Sequence, residues 1–468
     1  MVKHFVKKLE RTFLLGFKAL LFVVLFVIFF GLFGLVEPEL FRFSRTAGIS
    51  MSTFVIAGLC LIKIYGGFAI GIKKTKEIVY SVFLATFITD VISSFELSIM
   101  RINFPNVNFW HDLFALVGIV ILQIIMINIF AALGNYWYFE INPPAKVLVV
   151  YGDKEGLVNF VAKINKYKKQ YEITSLISVQ DETLEQTILD NQMVFLYSIA
   201  DVDKRRLLEY CYQHDKVTFI TPELSDIITK HSIHTLVDDV TVLESRVTGL
   251  TFEQSVVKRA CDIAVSGIGL IIASPVMLLE ALAIKLEDGG PVFFKQPRVT
   301  KDGKAFNVLK FRTMIVDADK NKKRLASEGD DRITKVGKVL RKLRIDELPQ
   351  FLNILKGEMS IVGPRPEQVE ITEKYVEILP EFKYRLKVKA GLTGLAQILG
   401  KYNTTPKDKL ILDLMYIEQY SIWVDLKLML QTAKVLFKSD STEGVQGEFP
   451  IELVKHSEDF DDNGESEE

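Results

Sequence analysis

Four apolar runs fill the first third of the 468-residue chain, at about Thr12–Val36, Ala47–Ile72, Ile78–Met100 and Phe109–Leu133. Each reaches the ~20 residues that a helix needs to cross a bilayer. A helix pairs all of its own backbone there, which an open strand or loop cannot do. The mean hydropathy of +0.23 agrees with membrane segments. Lys3, Lys7, Lys8 and Arg11 precede the first run, and Lys73, Lys74 and Lys76 follow the second. The positive-inside rule therefore places the N-terminus and the middle loop in the cytoplasm. An even number of crossings returns the chain there after Leu133, and Tyr136, Trp137 and Tyr138 read as an interfacial anchor. No small-residue cleavage site follows the first run, so it is expected as a retained anchor rather than a signal peptide. Lys63, Asp90 and Glu96 lie within or near these spans, and an ion pair of Lys63 with either acid is expected to fix helix packing.

Composition adds less. Lys and Arg number 57 against 58 Asp and Glu, so the net charge of -1 singles out no partner. Locally the balance is uneven. Lys285–Arg344 is densely basic, as expected around a polyanionic substrate or an anionic membrane surface. Residues 453–468 form an acidic segment poor in apolar groups and read as a disordered tail. Cys60, Cys211 and Cys261 lie far apart, which gives neither a disulfide framework nor a zinc spacing.

After Asn142-Pro143-Pro144, strand-like runs at Lys146–Tyr151, Tyr171–Val179, Met193–Tyr197 and Val217–Ile220 alternate with helical patterns. Residues 142–250 are thus expected to form a small parallel α/β domain. Gly152 and Gly156 fall short of the full G-x-G-x-x-G fingerprint, so a scaffolding or regulatory role is favoured over a cofactor. No Walker A sequence is present. A further apolar run from Ile263 to Leu286 is interrupted by Ser274-Pro275 and flanked by Lys258, Arg259 and Lys285. Proline removes an intrahelical donor and clashes with the preceding turn. A helix–break–helix over residues 256–286 that dips into one leaflet is expected, a true fifth span being the alternative.

In Arg344-Ile345-Asp346-Glu347-Leu348-Pro349-Gln350, the apolar residues Leu348, Phe351, Leu352 and Leu355 recur at helical spacing up to Gly357. Pro349 suits only a first turn, which puts Asp346 at the N-cap and Glu347 at the first helical position. Taken alone, an acid there is an ordinary cap. A helix start also attracts phosphate, and adjacent carboxylates can share a divalent ion while one attacks phosphorus. Lys310, Arg312, Arg341, Arg344 and the Arg365 of Gly363-Pro364-Arg365-Pro366-Glu367 supply nearby cations.

Lys258-Arg259-x-x-Asp262, Ser274-Pro275, Phe294-Lys295-Gln296-x-Arg298, Lys310-Phe311-Arg312-Thr313-Met314, Asp346-Glu347-Leu348-Pro349-Gln350, Met359–Pro366 and Gly391–Gln397 follow one another in order. As a set they resemble the monotopic polyprenyl-phosphate glycosyl-1-phosphate transferases, over roughly Phe252–Leu436. The segments before them resemble that family's large subgroup. The resemblance implies a membrane protein of α plus α/β class. Its parts are four transmembrane helices (1–141), a Rossmann-like domain (142–250) and a mainly α catalytic domain (251–452) anchored by a re-entrant helix. It implies transfer of a hexose-1-phosphate from a UDP-sugar to undecaprenyl phosphate, at the cytoplasmic face of a bacterial inner membrane, as the first membrane step of exopolysaccharide, capsule or O-antigen synthesis. Asp346 would be the nucleophile. Glu347, with Asp346, would hold Mg²⁺ or Mn²⁺, and Lys310, Arg312, Arg365, Arg385, Lys258 and Arg259 would contact substrate. A homodimer is compatible with it, and no nucleic-acid partner is implied. Thr300 stands where a glycine is common, and Ala390 where a proline usually precedes the GxTG turn. Two rivals lack an account of the acid–arginine set: a non-catalytic assembly component and a nucleotide-sugar dehydratase or reductase.

Overall fold

The computed structural model describes residues 10–67, 69–100, 109–230, 232–245, 249–316, 330, 332–400 and 404–436. The N-terminal lysines and the acidic segment 453–468 lie outside the described residues. The chain divides into two compact units at Thr221/Pro222.

The first unit opens with four long helices: α1 (Glu10–Val36), α2 (Arg45–Tyr65), α3 (Thr75–Met100) and α4 (Phe109–Ile141). They overlie the four apolar runs, except that α2 ends at Tyr65, short of Ile72, and α4 continues past Leu133 through Tyr136–Tyr138 to Ile141. Within a bilayer the lipid tails would be as apolar as the helices, so association would rest on packing and hydrogen bonds rather than on water exclusion. Phe29 and Phe33 of α1, Phe54 of α2, Leu97 of α3 and Ile119 of α4 form one buried cluster. The expected Lys63 ion pair is not made. Lys63 is exposed near the end of α2, whereas Asp90 accepts from Gln123 Nε2 at 3.4 Å and Glu96 from Thr53 Oγ1 at 3.1 Å. Neutral donors on neighbouring helices serve these acids in its place.

The same unit continues through β1 (Ala145–Tyr151), α5 (Leu157–Asn165), β2 (Tyr171–Ser178), α6 (Leu184–Asp190), β3 (Met193–Tyr197), α7 (Asp201–Gln213) and β4 (Val217–Ile220). The sheet is parallel throughout, in the order β2-β1-β3-β4. Central strand β1 feeds both faces. Val147 and Val149 pack with Leu157, Val161 and Ile164, while Leu148 and Val150 pack with Leu184, Ile188 and Leu207. A strand buried on both faces reads as a continuous apolar run, which is why it is legible as KVLVVY.

The second unit comprises α8 (Leu224–Lys230), β5 (Ile233–Val237), β6 (Val240–Glu244), α9 (Phe252–Asp288), β7 (Phe293–Val299), β8 (Ala305–Phe311), α10 (Lys335–Leu343), α11 (Gln350–Lys356), β9 (Ser360–Val362), α12 (Val369–Ile378), β10 (Gly391–Thr393), α13 (Leu395–Leu399), α14 (Pro406–Glu418) and α15 (Ile422–Leu436). Its core gathers Phe306 and Val308, Ile354, Met359 to Val362, Phe382 and the inner face of α14. Leu410–Leu436 reads in the sequence as an amphipathic helix, either lying in the membrane interface or packed on the catalytic core. The structure divides it at Gln419–Ser421, and α14 is a core helix with Leu410, Leu414 and Tyr416 buried.

The expected break in α9 is also absent: the helix runs through Pro275. Pro275 has no N–H for the carbonyl of Ile271, four residues back. The hydroxyl of Ser274 donates to that same oxygen at 2.8 Å, so the serine replaces the donor that the proline lacks. Among the described residues, five helices are therefore long and apolar enough to cross a membrane, rather than four.

Both ends of α9 dock on the second unit. At its start, Lys258 Nζ meets Asp425 at 2.5 Å and Tyr416 at 3.1 Å, and Tyr416 donates to Asp425 at 2.8 Å. Arg259 donates to the carbonyls of Ile354 and Leu355 at the end of α11, at 2.6 and 2.7 Å. Asp262 accepts from Ser360 Oγ and Ile361 N. Near its end, Ile284 packs on Phe311 and Leu340.

Thr300 and Ala390, the two departures from the family pattern, are joined by one interaction. Ala390 N–H donates to Thr300 Oγ1 at 3.1 Å, and that hydroxyl donates to the Glu358 carbonyl at 3.0 Å. A proline would lack the N–H and a glycine the hydroxyl. Thr300→Val should destabilise the protein by about 1–3 kcal/mol by orphaning the buried Ala390 N–H and the part-buried Glu358 carbonyl. In an Ala390→Pro background the same change should cost about 1 kcal/mol less. Equilibrium denaturation of the four proteins in detergent measures the difference, and strict additivity would contradict the coupling.

Candidate active site

The site forms where α10 meets α11. Helix α10 is amphipathic and ends at Arg344, whose positive φ of 54° turns the chain while its N–H reaches the carbonyls of Leu340 and Arg341. A left-handed arginine costs on the order of 1–3 kcal/mol and persists where its surroundings hold it. Ile345 beyond it packs with Phe311 and Leu340. Ile345–Glu347 then makes a single 3₁₀ turn, and α11 begins at Gln350 after Pro349. Gly357, at φ 87°, stops it as expected. Asp346 is consequently not the N-cap, because the residue in that position is Pro349 and no side chain caps α11.

Freed from capping, the two acids sit in contrasting surroundings. Glu347 Oε1 receives Lys310 Nζ at 2.6 Å from β8 and Arg365 Nη2 at 3.1 Å from the loop after β9. Burial alone would raise the Glu347 carboxyl, but Arg365 and Lys310 outweigh it and hold it well below the usual carboxylate range. For Asp346 burial wins and pushes the carboxyl up. Glu347 adds to that shift, and Lys310 and Arg341 only partly oppose it. Neighbouring titratable groups driven apart in this way are a mark of acid, base and nucleophile sites.

Arg365 is presented by a fixed loop. The carbonyls of Pro364, Arg365, Pro366 and Glu367 accept in turn from Gly391 N (2.8 Å), Arg385 Nη2 (2.8 Å), Arg298 Nη1 (3.0 Å) and Val299 N (3.0 Å). Gly391 permits the first of these, since a Cβ there would stand 2.1 Å from Gly363 N. Arg385 is itself buried and held by Asp413 Oδ2 at 2.7 Å. Together these groups face a cavity of about 480 Å³, with Glu347, Arg365, Arg385 and Lys409 among its polar walls and Leu348, Phe351 and Leu392 among its apolar ones.

Residues 253–439 match the bacterial sugar transferase family model. A UDP-glucose:undecaprenyl-phosphate glucose-1-phosphate transferase of Caulobacter vibrioides is 41% identical over 189 residues, covering 39% of this chain and 71% of that protein. The chain belongs to the bacterial sugar transferase family. A UDP-N-acetylgalactosamine-undecaprenyl-phosphate N-acetylgalactosaminephosphotransferase of Aeromonas hydrophila is 42% identical over 183 residues, 38% of this chain and 43% of that protein. A galactosyl transferase of Streptococcus agalactiae is 45% identical over 197 residues, 40% of this chain and 43% of that protein. The chain thus covers less than half the length of two of these three relatives.

Not every residue singled out in the sequence of this sugar transferase reaches the cavity. Glu347, Arg365 and Arg385 line it, whereas Lys310 and Asp346 are not among its lining residues: Lys310 reaches Glu347 Oε1, and Asp346 precedes Glu347 in the same 3₁₀ turn. Lys258 and Arg259 do not come to the dyad, because their charged groups are engaged in docking α9. Arg312 is buried against Asp288 at the foot of α9. Ser274 and Pro275 lie inside that helix. Conversely, Lys409 and Glu367 face the cavity, and Lys409 Nζ lies 3.4 Å from Glu367 Oε1. The GPRPE motif contains Glu367, but nothing in the spacing of PKDKLILDL singles out Lys409. Asp413, unplaced by spacing, is the partner of Arg385.

Proposed function

We propose that this protein transfers a hexose-1-phosphate from a UDP-sugar to undecaprenyl phosphate and releases UMP, with Asp346 as nucleophile. The observation that carries the reading is the division of labour within the dyad. Glu347 is locked as an anion between Lys310 and Arg365, while Asp346 sits in a desolvated setting that makes its carboxylate a stronger nucleophile. An Asp346 oxygen attacks the β-phosphorus of the donor, and the bond from that phosphorus to the bridging oxygen breaks, releasing UMP. A lipid phosphate oxygen then attacks the same phosphorus and frees Asp346. One phosphoanhydride is exchanged for another, so the catalytic need is positioning and charge neutralisation. Arg365, on its clamped loop, and Lys310 supply fixed positive charge where phosphate oxygens gather. Two of the relatives are named for transfer from UDP-glucose or UDP-N-acetylgalactosamine to undecaprenyl phosphate and the third only as a galactosyl transferase, and no residue here selects among these sugars.

The dyad also fits a divalent ion. Both cation contacts of Glu347 fall on Oε1, and magnesium is commonly held by one or two carboxylates with substrate phosphates completing its shell. The remaining ligands would come from substrate phosphates and water. When bound, Mg²⁺ or Mn²⁺ would neutralise phosphate charge.

Helices α1–α4 are read as spanning the inner membrane and α9, unbroken at Pro275, as held at its cytoplasmic face. In support, Lys258, Arg259 and Asp262 bind one end of α9 to the same unit that packs on Ile284 near the other. The helix also leaves Ile268, Ile271, Ile272, Leu278 and Leu279 exposed. In a cysteine-free background, Glu253→Cys and Asp302→Cys should react with an impermeant maleimide from one side of sealed vesicles. Labelling from opposite sides would make α9 a fifth span.

The reaction itself is tested by UMP release from a panel of UDP-sugars, with and without undecaprenyl phosphate and Mg²⁺. Carrier-dependent release is expected with one sugar, reduced at least about a thousand-fold in Asp346→Asn. Release that survives the substitution would end the nucleophile assignment. No release with any sugar would favour a non-catalytic assembly role.

A further inference from the structure

The β7–β8 hairpin has two faces, and only one serves the dyad. Lys310 and its cross-strand partner Phe294 share the face from which Lys310 reaches Glu347, whereas Lys295 and Leu309 are opposed on the other. Behind that second face lies a separate cavity of about 600 Å³. Five lysines line it: Lys295, Lys301, Lys304, Lys356 and Lys389. None of these amines forms an ion pair with a described carboxylate. Asp302 and Glu358 are the acids of the wall, and Glu358 Oε2 already accepts from Asn353 Nδ2 at 2.6 Å.

The cations are also crowded. A Cβ placed on Gly357 would meet Arg259 Nη2 at 3.4 Å and Lys389 Nζ at 3.6 Å, so both side chains reach the same glycine. Arg259 spends its donors on the carbonyls of Ile354 and Leu355, which leaves its charge uncompensated by a carboxylate there. Burial, Arg259 and Lys301 pull the Lys389 amine below its usual range, and Asp262 opposes them only in part. A concave site that concentrates like charge attracts a counter-ion of matching valence.

We propose that this cavity is a second anion site, which takes a phosphate-bearing ligand independently of the catalytic dyad. Its cations are mostly lysines, flexible point charges that neutralise phosphate without imposing the planar fork of arginine. The ligand is therefore expected to be recognised by charge more than by shape, and its binding to weaken with salt. The same chemistry is carried by a soluble phosphate and by an anionic lipid headgroup. Arg259, which approaches Gly357 of the cavity wall, stands at the start of the apolar helix α9, which makes an anionic lipid headgroup one candidate source. The inference stands whether or not the transfer reaction does, because it concerns binding on the other face of the hairpin.

The test is lysine acylation of the full chain, read peptide by peptide by mass spectrometry. Exposed Lys383 serves as the control and Lys310 reports occupancy of the dyad. In neutral detergent, inorganic pyrophosphate is titrated. In nanodiscs, phosphatidylcholine alone is compared with phosphatidylcholine plus phosphatidylglycerol. Labelling of Lys356 and Lys389 is expected to fall about tenfold, either saturably with pyrophosphate, which identifies a soluble source, or only with phosphatidylglycerol, which identifies a lipid one. Lys295→Gln with Lys304→Gln should raise the half-protecting concentration of whichever ligand acts by about tenfold. Protection no greater than that of Lys383 in both arms would overturn the proposal. So would protection of Lys356 and Lys389 that the double substitution leaves unchanged.

Discussion

The site depends on a single oxygen. Glu347 Oε1 is shared by Lys310 from the β7–β8 hairpin and Arg365 from the loop after β9, so one carboxylate ties three segments far apart in sequence. An ion pair with one exposed partner contributes little on its own. Here it is backed by a loop clamped at four successive carbonyls and by the buried Arg385–Asp413 pair. The cost of gathering so many cations is met by folding, before any phosphate arrives. That preorganisation separates the dyad into one fixed anion and one poorly solvated carboxylate.

A second constraint is the attachment of α9. Lys258, Arg259 and Asp262 bond its first turns to α11, β9 and α15, and its later turns pack beside Ile345, next to the dyad. The apolar helix and the Asp346–Glu347 pair are thus built into one body. Movement of α9 would be felt at the 3₁₀ turn that carries Asp346.

How much of this the sequence disclosed varies with the kind of signal. Length and hydropathy located the four long apolar helices, although α2 stops at Tyr65 short of Ile72 and α4 runs on past Leu133 to Ile141; the parallel strands were placed more closely, because burial between two helical layers leaves unbroken apolar runs. Lys310, Glu347 and Arg365 were legible as a set, since their spacing follows the family motifs. The helix start was misplaced at Asp346 because a left-handed Arg344 is not signalled by its own residue type. The break at Ser274-Pro275 did not appear, since proline's lost donor is replaced by the serine beside it. Lys258 and Arg259 look from sequence like phosphate ligands, and only tertiary packing reveals Asp425 and the end of α11 as their partners. Long-range pairs such as Arg385 with Asp413 leave no local pattern at all.

The most direct test of the central claim is a rapid-mix experiment without lipid acceptor, followed by intact-mass and peptide analysis. With the accepted UDP-sugar, the account predicts a burst of UMP approaching one equivalent per enzyme. It also predicts a sugar-phosphate adduct on the peptide containing Asp346, discharged on adding undecaprenyl phosphate. Turnover that requires both substrates together, with no burst and no adduct, would contradict it and point to direct transfer between the two phosphates.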